Sequence, residues 1–177
     1  MMLTFLAISG SLRAASATTV WLKAIAALAP NNIRVTFYEG LAALPHFNPD
    51  LDIDPVPPTV ADLRRQLREA DAIIISSPEY AHGVPGSLKN ALDWIVSSGE
   101  FMDKPTAIIT AARARYVRAA LIETLSVMMA KLSEETSPSL ASTTNQIDLA
   151  TALANPDWVA ALTQCLSILS AQANATA

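Results

Sequence analysis

The chain has 177 residues, 51% of them hydrophobic and 16% charged, with a formal net charge of −4. That is enough apolar material for one buried core and one domain over residues 1–177. There is no run of Lys and Arg to give a nucleic-acid footprint and no apolar stretch of membrane-spanning length. Cys165 is the sole cysteine, which rules out an intrachain disulfide framework and a cysteine metal cluster.

In chain order, residues 3–9 form a short apolar run that ends at Gly10 and reads as a strand. The start MMLTFLAISGSLR has no basic residue ahead of its apolar run, unlike a secretory signal, so a cytoplasmic protein is expected. Residues 17–29 show helical periodicity through Val20, Leu22, Ile25 and Leu28, and stop at Pro30. Residues 33–38 (IRVTFY) alternate and are rich in β-branched and aromatic types, the mark of a strand. The proline-rich stretch 41–58 reads as a long irregular loop. Thr59, with Asp62 at capping-box spacing, is expected to open a helix ending near Ala70.

Residues 72–76 (AIIIS) are continuously apolar, as in a strand of a parallel sheet covered on both faces. A loop with two prolines and two glycines follows, then a helix over 85–96, a strand over 106–110 and a helix over 116–132. A weak strand is possible over 139–143. Asn155 is placed to cap a last helix with Pro156 at its first position, and the tail QANATA is expected to fray. Strand and helix alternate throughout, the pattern of a doubly wound α/β sheet. Five strands with a short first βα turn favour the flavodoxin-like parallel order 2-1-3-4-5 with helices on both faces.

In that topology a ligand sits beyond the carboxyl ends of strands 1 and 3. The loop SGSLRAASAT after strand 1 offers hydroxyls at Ser9, Ser11, Ser16 and Thr18, a guanidinium at Arg13 and the free amides of a helix start. These groups suit a phosphate monoester. The loop is neither G-x-G-x-x-G nor a P-loop, for it has no P-loop lysine. The same residues also fit an ordinary turn, with Ser16 a simple helix cap and Arg13 in solvent.

Two stretches together resemble the NADPH-dependent FMN reductase family, which includes flavin-dependent quinone, azo and chromate reductases. Gly10-Ser11-Leu12-Arg13 and Ser16 match its loop after strand 1. Pro78-Glu79-Tyr80, Pro85-Gly86, Leu88-Lys89-Asn90-Ala91 and Asp93-Trp94 match its P-E-Y segment after strand 3, and residues 44–50 (LPHFNPD) are similar to its segment after strand 2. The resemblance implies non-covalent FMN. Ser11, Arg13 and Ser16 would hold the phosphate with Ser9 or Thr18 assisting. Pro78, Glu79 and Tyr80 would run along the isoalloxazine ring, with Gly83 near its edge. It further implies reduction of FMN by NADPH or NADH and delivery of electrons to a quinone, azo compound, free flavin or similar small acceptor, in a homodimer or homotetramer. Trp94 is expected to pack on the sheet or on a neighbouring subunit, and Glu79 to pair across such an interface.

The chain departs from the family at Thr18 and Ala81, both Asn in the family pattern, and in residues 111–115, where a glycine-rich loop is replaced by one without glycine. A Cβ at every position limits positive φ and close approach to a flat ring, so the ring edge is either covered differently or held less tightly. No catalytic side chain and no metal ligand is expected, because hydride exchange needs no protein nucleophile and His46 and His82 read as ordinary loop residues. Arg113, Arg115 and Arg118 are candidates for attracting a nucleotide phosphate. The alternatives are a flavodoxin-type electron carrier and a flavin-free α/β binding module. The modest acidity disfavours the carrier.

Overall fold

The computed structural model describes residues 1–13, 15–142 and 147–176. Five strands, β1 (Leu3–Ser9), β2 (Ile33–Phe37), β3 (Ala72–Ser76), β4 (Thr106–Ala111) and β5 (Ser139–Leu140), form one sheet of order β2-β1-β3-β4-β5. Every pairing is parallel, and Ser9 lies opposite Ser76 where β1 and β3 end together. This is the expected flavodoxin-like order. Of the weak strand over 139–143, the first two residues pair, and Thr143 lies outside the described residues.

Among the described residues six α-helices complete the fold: α1 (Ala17–Leu28), α2 (Pro58–Glu69), α3 (Gly86–Asp93), α4 (Arg115–Val127), α5 (Leu149–Ala154) and α6 (Pro156–Thr176). Alternate strand residues serve opposite layers. Phe5, Ala7, Ile74 and Ile109 pack with Leu22 and Ile25 of α1 and with Leu162, Leu166 and Leu169 of α6. Leu6, Ile73, Ile75 and Ile108 pack with Leu63 and Leu67 of α2, Leu88 and Leu92 of α3, and Val117 and Leu121 of α4. With a layer on each face the central strands must be apolar at every position, and Ile73, Ile74 and Ile75 are each completely buried. Each such side chain contributes about 1.5–3 kcal/mol of transfer free energy.

Several boundaries differ from expectation, among them α3, which stops at Asp93 rather than residue 96. α2 begins at Pro58 after Pro57, so Thr59 lies inside it. The fixed φ of proline suits the first helical turn, and Asp62 turns away to Arg65 and Gln66 instead of reaching back. α4 stops at Val127, five residues short of the predicted end. There Met129 takes φ 59°, the Ala130 amide donates to the Leu125 carbonyl, and the Met129 amide donates to that of Ser126. This is a Schellman turn with methionine where glycine is usual, so no residue signalled it. α5 was not foreseen; Asp148 caps it by accepting from the Thr151 amide at 2.7 Å. The tail is helical through Thr176, with Ala173 buried against the α1 layer. The Asn155 cap stands as predicted, its Oδ1 accepting from the amides of Asp157 and Trp158.

The stretch 41–58 is less irregular than its prolines suggest, with 3-10 turns at Gly40–Ala43 and Pro49–Leu51. α3 holds it. Asn90 accepts from the Phe47 amide at 2.7 Å and donates to the Pro45 carbonyl, which also accepts from the Trp94 indole at 2.8 Å. Trp94 is fully buried against its own chain, with Phe47 edge-on to its ring. It therefore packs on this loop rather than on the face of a neighbouring subunit.

Candidate active site

β1 and β3 send their connections to opposite faces of the sheet, so the loops after Ser9 and Ser76 part and leave a cleft between them. The two loops meet at its base. The Gly10 amide donates to the Ser76 carbonyl at 2.8 Å, and a Cβ on Gly10 would lie 2.8 Å from Ser77 Oγ and 2.9 Å from a methyl of Leu88. Any larger residue at this position would make the Ser77 and Leu88 side chains move aside.

The cleft holds about 340 Å³ and is walled by the loop after β1 and the start of α1, by Ser77 to Tyr80, and by Ala111, Arg113 and Ala114 from the loop after β4. Of the residues singled out from the sequence, Ser11, Arg13, Ser16, Thr18, Pro78, Glu79 and Tyr80 line it. Ser9 stands behind the wall, where its hydroxyl donates to the Ser11 carbonyl and bonds with the hydroxyls of Thr18 and Thr19, each at 3.2 Å. Gly83 is not part of the lining. It closes the turn that carries Tyr80, for the two residues exchange amide-to-carbonyl hydrogen bonds of 2.9 and 3.2 Å.

At the α1 end, Ser16 occupies the cap position but makes no side-chain cap. Its hydroxyl instead meets that of Thr18 at 2.8 Å, and Thr18 continues the chain to Ser9. Thr18, where the family pattern has Asn, is thus the hub of a hydroxyl relay and is itself buried. The first turn of α1 keeps its amides uncapped, pointing out of the positive end of the helix. Arg13 has no ion-pair partner among the described residues, and neither has Arg113 on the opposite wall. Arg118 is committed to the Ser137 carbonyl and Glu134, and Arg115 lies over the Tyr116 ring.

The P-E-Y segment is tied to α4. Glu79 Oε2 accepts from the amides of Tyr116 at 2.8 Å and Val117 at 3.1 Å. α4 has no cap of its own, so this carboxylate is its N-terminal cap, and the main chain of Glu79 is held beside the cleft by it. The glycine-free loop meets its neighbours with ordinary backbone. None of the residues 111–115 has positive φ, and the Ala112 amide donates to the Leu140 carbonyl at 2.8 Å. The turn at residues 80–83 is the strained one: Ala81 has φ 48° and His82 φ 59°. Asn tolerates that region far better than Ala, which accounts for the family's Asn in backbone terms and makes Ala81 the more strained choice. His82 stacks on Tyr116, ring centroids 4.2 Å apart.

Five lining residues were not foreseen as such: Ala17, Trp21, Ser77, Ala111 and Ala114. Trp21 had a readable signal, since it lies three and four residues beyond Thr18 and Ala17 on one face of α1. Cys165 is fully buried and burial pushes its thiol pKa up to about 12, which makes it an inert structural thiol. Among the described residues no three His, Cys, Asp or Glu side chains converge on a metal position, and no helix is long and apolar enough to cross a membrane.

Fold and site together define a flavodoxin-like doubly wound protein with a hydroxyl- and guanidinium-lined cleft at its switch point. Residues 3–155 match the model of the NADPH-dependent FMN reductase family, and the chain belongs to that family. It is 36% identical over 113 residues to an NAD(P)H-dependent FMN reductase of Pseudomonas aeruginosa, covering 63% of this chain and 60% of that protein. It is 40% identical over 108 residues to an NADPH:quinone oxidoreductase of Arabidopsis thaliana, covering 59% of this chain and 55% of the other. The chain thus spans between half and two thirds of the length of these relatives. Its backbone also superposes on a flavoenzyme NAD(P)H:(acceptor) oxidoreductase of Paracoccus denitrificans with a TM-score of 0.67, over 98% of this chain and 96% of that one. At 23% identity this is a likeness of fold.

Proposed function

We propose that this protein is a single FMN-binding domain, residues 1–177, that acts as an NAD(P)H-dependent oxidoreductase on small acceptors. The observation that carries the reading is the convergence of the Ser11–Arg13–Ser16–Thr18 wall and the Pro78–Tyr80 wall on one cleft at the switch point. Its volume of about 340 Å³ lies within the ordinary range for small-molecule sites. The residues fit the cofactor at its phosphate end, where an uncapped helix terminus, buried hydroxyls and an Arg13 with no ion-pair partner among the described residues line one cleft with Trp21. Ser11, Arg13, Ser16 and Thr18 would hold the phosphomonoester, and Ser9 would keep Thr18 in place from behind. The main chain of Pro78, Glu79 and Tyr80 would border the ring, with Gly83 shaping the turn at its edge.

When bound, FMN supplies the hydride chemistry, taking electrons from NADPH or NADH and passing them to a quinone, azo compound, free flavin or similar acceptor. The chain's own part is to bind and orient. The Glu79 carboxylate is engaged by α4, so it contributes position rather than a proton. Arg113, on the wall formed by the loop after β4 and without an ion-pair partner among the described residues, would draw a nucleotide phosphate toward the mouth. We place the protein in the cytoplasm, its one cysteine unpaired, as a homodimer or homotetramer, on the exposed apolar side chains Val96, Met102, Val127 and Met129.

The test is the visible spectrum of the purified protein, followed by titration of apoprotein with FMN and anaerobic addition of NADPH. Flavin bands that bleach within the mixing time are expected. A protein that neither carries nor takes up FMN overturns the reading; bound flavin that NADPH leaves yellow identifies an electron carrier instead. Light scattering reads the oligomer, and a monomer overturns that part.

A further inference from the structure

The chain has three tryptophans, and their indole N–H groups are treated differently. Trp94 donates to the Pro45 carbonyl at 2.8 Å and Trp158 to the Ala141 carbonyl at 3.0 Å. Trp21 is 2% exposed and lines the cleft, and its Nε1, closed off from solvent, has no hydrogen-bond partner among the described residues. A buried donor left unpaired carries a desolvation penalty that native proteins seldom leave uncompensated.

Its position says what would compensate it. Side chains on a helix lean back toward the N-terminus, so the ring of Trp21 lies beneath the first turn of α1, the turn of Ala17 and Thr18. There the helix presents uncapped amides and the Ser16–Thr18 hydroxyl pair. The ring does not search for this place. Trp158 meets it edge-on at 6.3 Å and 84°, and Trp158 is itself pinned by its bond to Ala141. The ring is therefore held in place before any ligand arrives, and its closed-off Nε1 is reached by a ligand oxygen through a small local shift at the cleft. Nε1–H is a donor only, the wrong partner for a cation and the right one for an anionic oxygen.

We propose that Trp21 is a phosphate-binding residue of this protein: its indole N–H donates to the phosphomonoester of the bound flavin nucleotide from the floor of the cleft, alongside the hydroxyls and Arg13. The assignment rests on the flavin reading above and adds to it a donor on a residue that lies outside both sequence motifs. It makes the 5′-phosphate, rather than the ring, the part of the ligand that Trp21 senses.

The experiment uses the full-length protein and two ligands that differ only in that phosphate, FMN and riboflavin. In a proton–nitrogen spectrum of uniformly labelled apoprotein the three indole N–H signals are followed through each titration, and Trp21→Phe identifies the Trp21 signal by its loss. FMN is expected to move the Trp21 signal strongly downfield, while riboflavin leaves it near its apo position. Trp21→Phe is expected to weaken FMN about tenfold or more, the share of a hydrogen bond to a charged group, and to leave riboflavin affinity within about twofold. An equal loss for both ligands marks a packing role and overturns the assignment, as does FMN binding with an unmoved Trp21 signal. If Trp21→Phe does not fold, the wild-type titration still decides between these outcomes, the Trp21 signal then being assigned by elimination from the spectra of both Trp158→Phe and Trp94→Phe. Failure of the wild type to bind FMN overturns the flavin reading and this assignment together, whereas the other two failures leave the flavin reading intact.

Discussion

Arg13 is the residue on which the phosphate end depends most directly, because among the described residues its guanidinium has no carboxylate to satisfy it. Arg13→Ala is expected to weaken FMN by about 1.5–3 kcal/mol, roughly 10- to 150-fold in Kd, measured by titration of the apoprotein; unchanged affinity would remove Arg13 from the site. Its place on the cleft wall was legible, since G-S-L-R after an apolar run puts a guanidinium at a helix start. Ala81 shows what was not legible. Its type looked like the loss of a hydrogen-bonding group, and its φ of 48° shows that the backbone matters more. An L-residue with an ordinary Cβ, such as Ala, is disfavoured there by about 1–2 kcal/mol. Ala81→Asn should therefore stabilise the protein by about 0.5–1 kcal/mol in a urea unfolding curve, and no gain would mean that the turn at 80–83 is relaxed in solution.

At the scale of elements, the main coupling runs from the P-E-Y loop to α4. Glu79 supplies the acceptor that α4 lacks at its start, across 37 residues of sequence. No local pattern announces such a cap, since the rule for capping is written for neighbours. Glu79→Ala is expected to destabilise the fold by about 1 kcal/mol, the usual worth of an N-cap. Faster amide exchange should appear at Tyr116 and Val117, while the rest of the sheet keeps its protection. If exchange at those two amides is unaffected, the cap does not form in solution. Just before this cap, residues 111–115 turn without positive φ, and Arg113 takes a place on the cleft wall.

For the whole molecule, the flavin reading predicts a linkage. FMN at a hundred times its Kd should add about 2.7 kcal/mol, which for a protein of this size raises Tm by roughly 5–10 °C. Circular dichroism with and without the cofactor reads it, and an unshifted Tm would count against a site in the native fold. The alternation of apolar strands and amphipathic helices was enough, by itself, to determine the doubly wound layers, because a strand buried on both faces leaves an unbroken apolar run such as AIIIS. The motifs determined which two loops flank the cleft and most of the side chains lining it. Tertiary structure alone decided where α4 ends, what Trp94 grips, which carboxylate caps α4, and that one indole N–H lies buried at the cleft without a partner. These depend on contacts between segments far apart in the chain. Spacing along a sequence reports which face of an element is apolar, but only the assembled layers fix which polar atoms on those faces meet and which are left over.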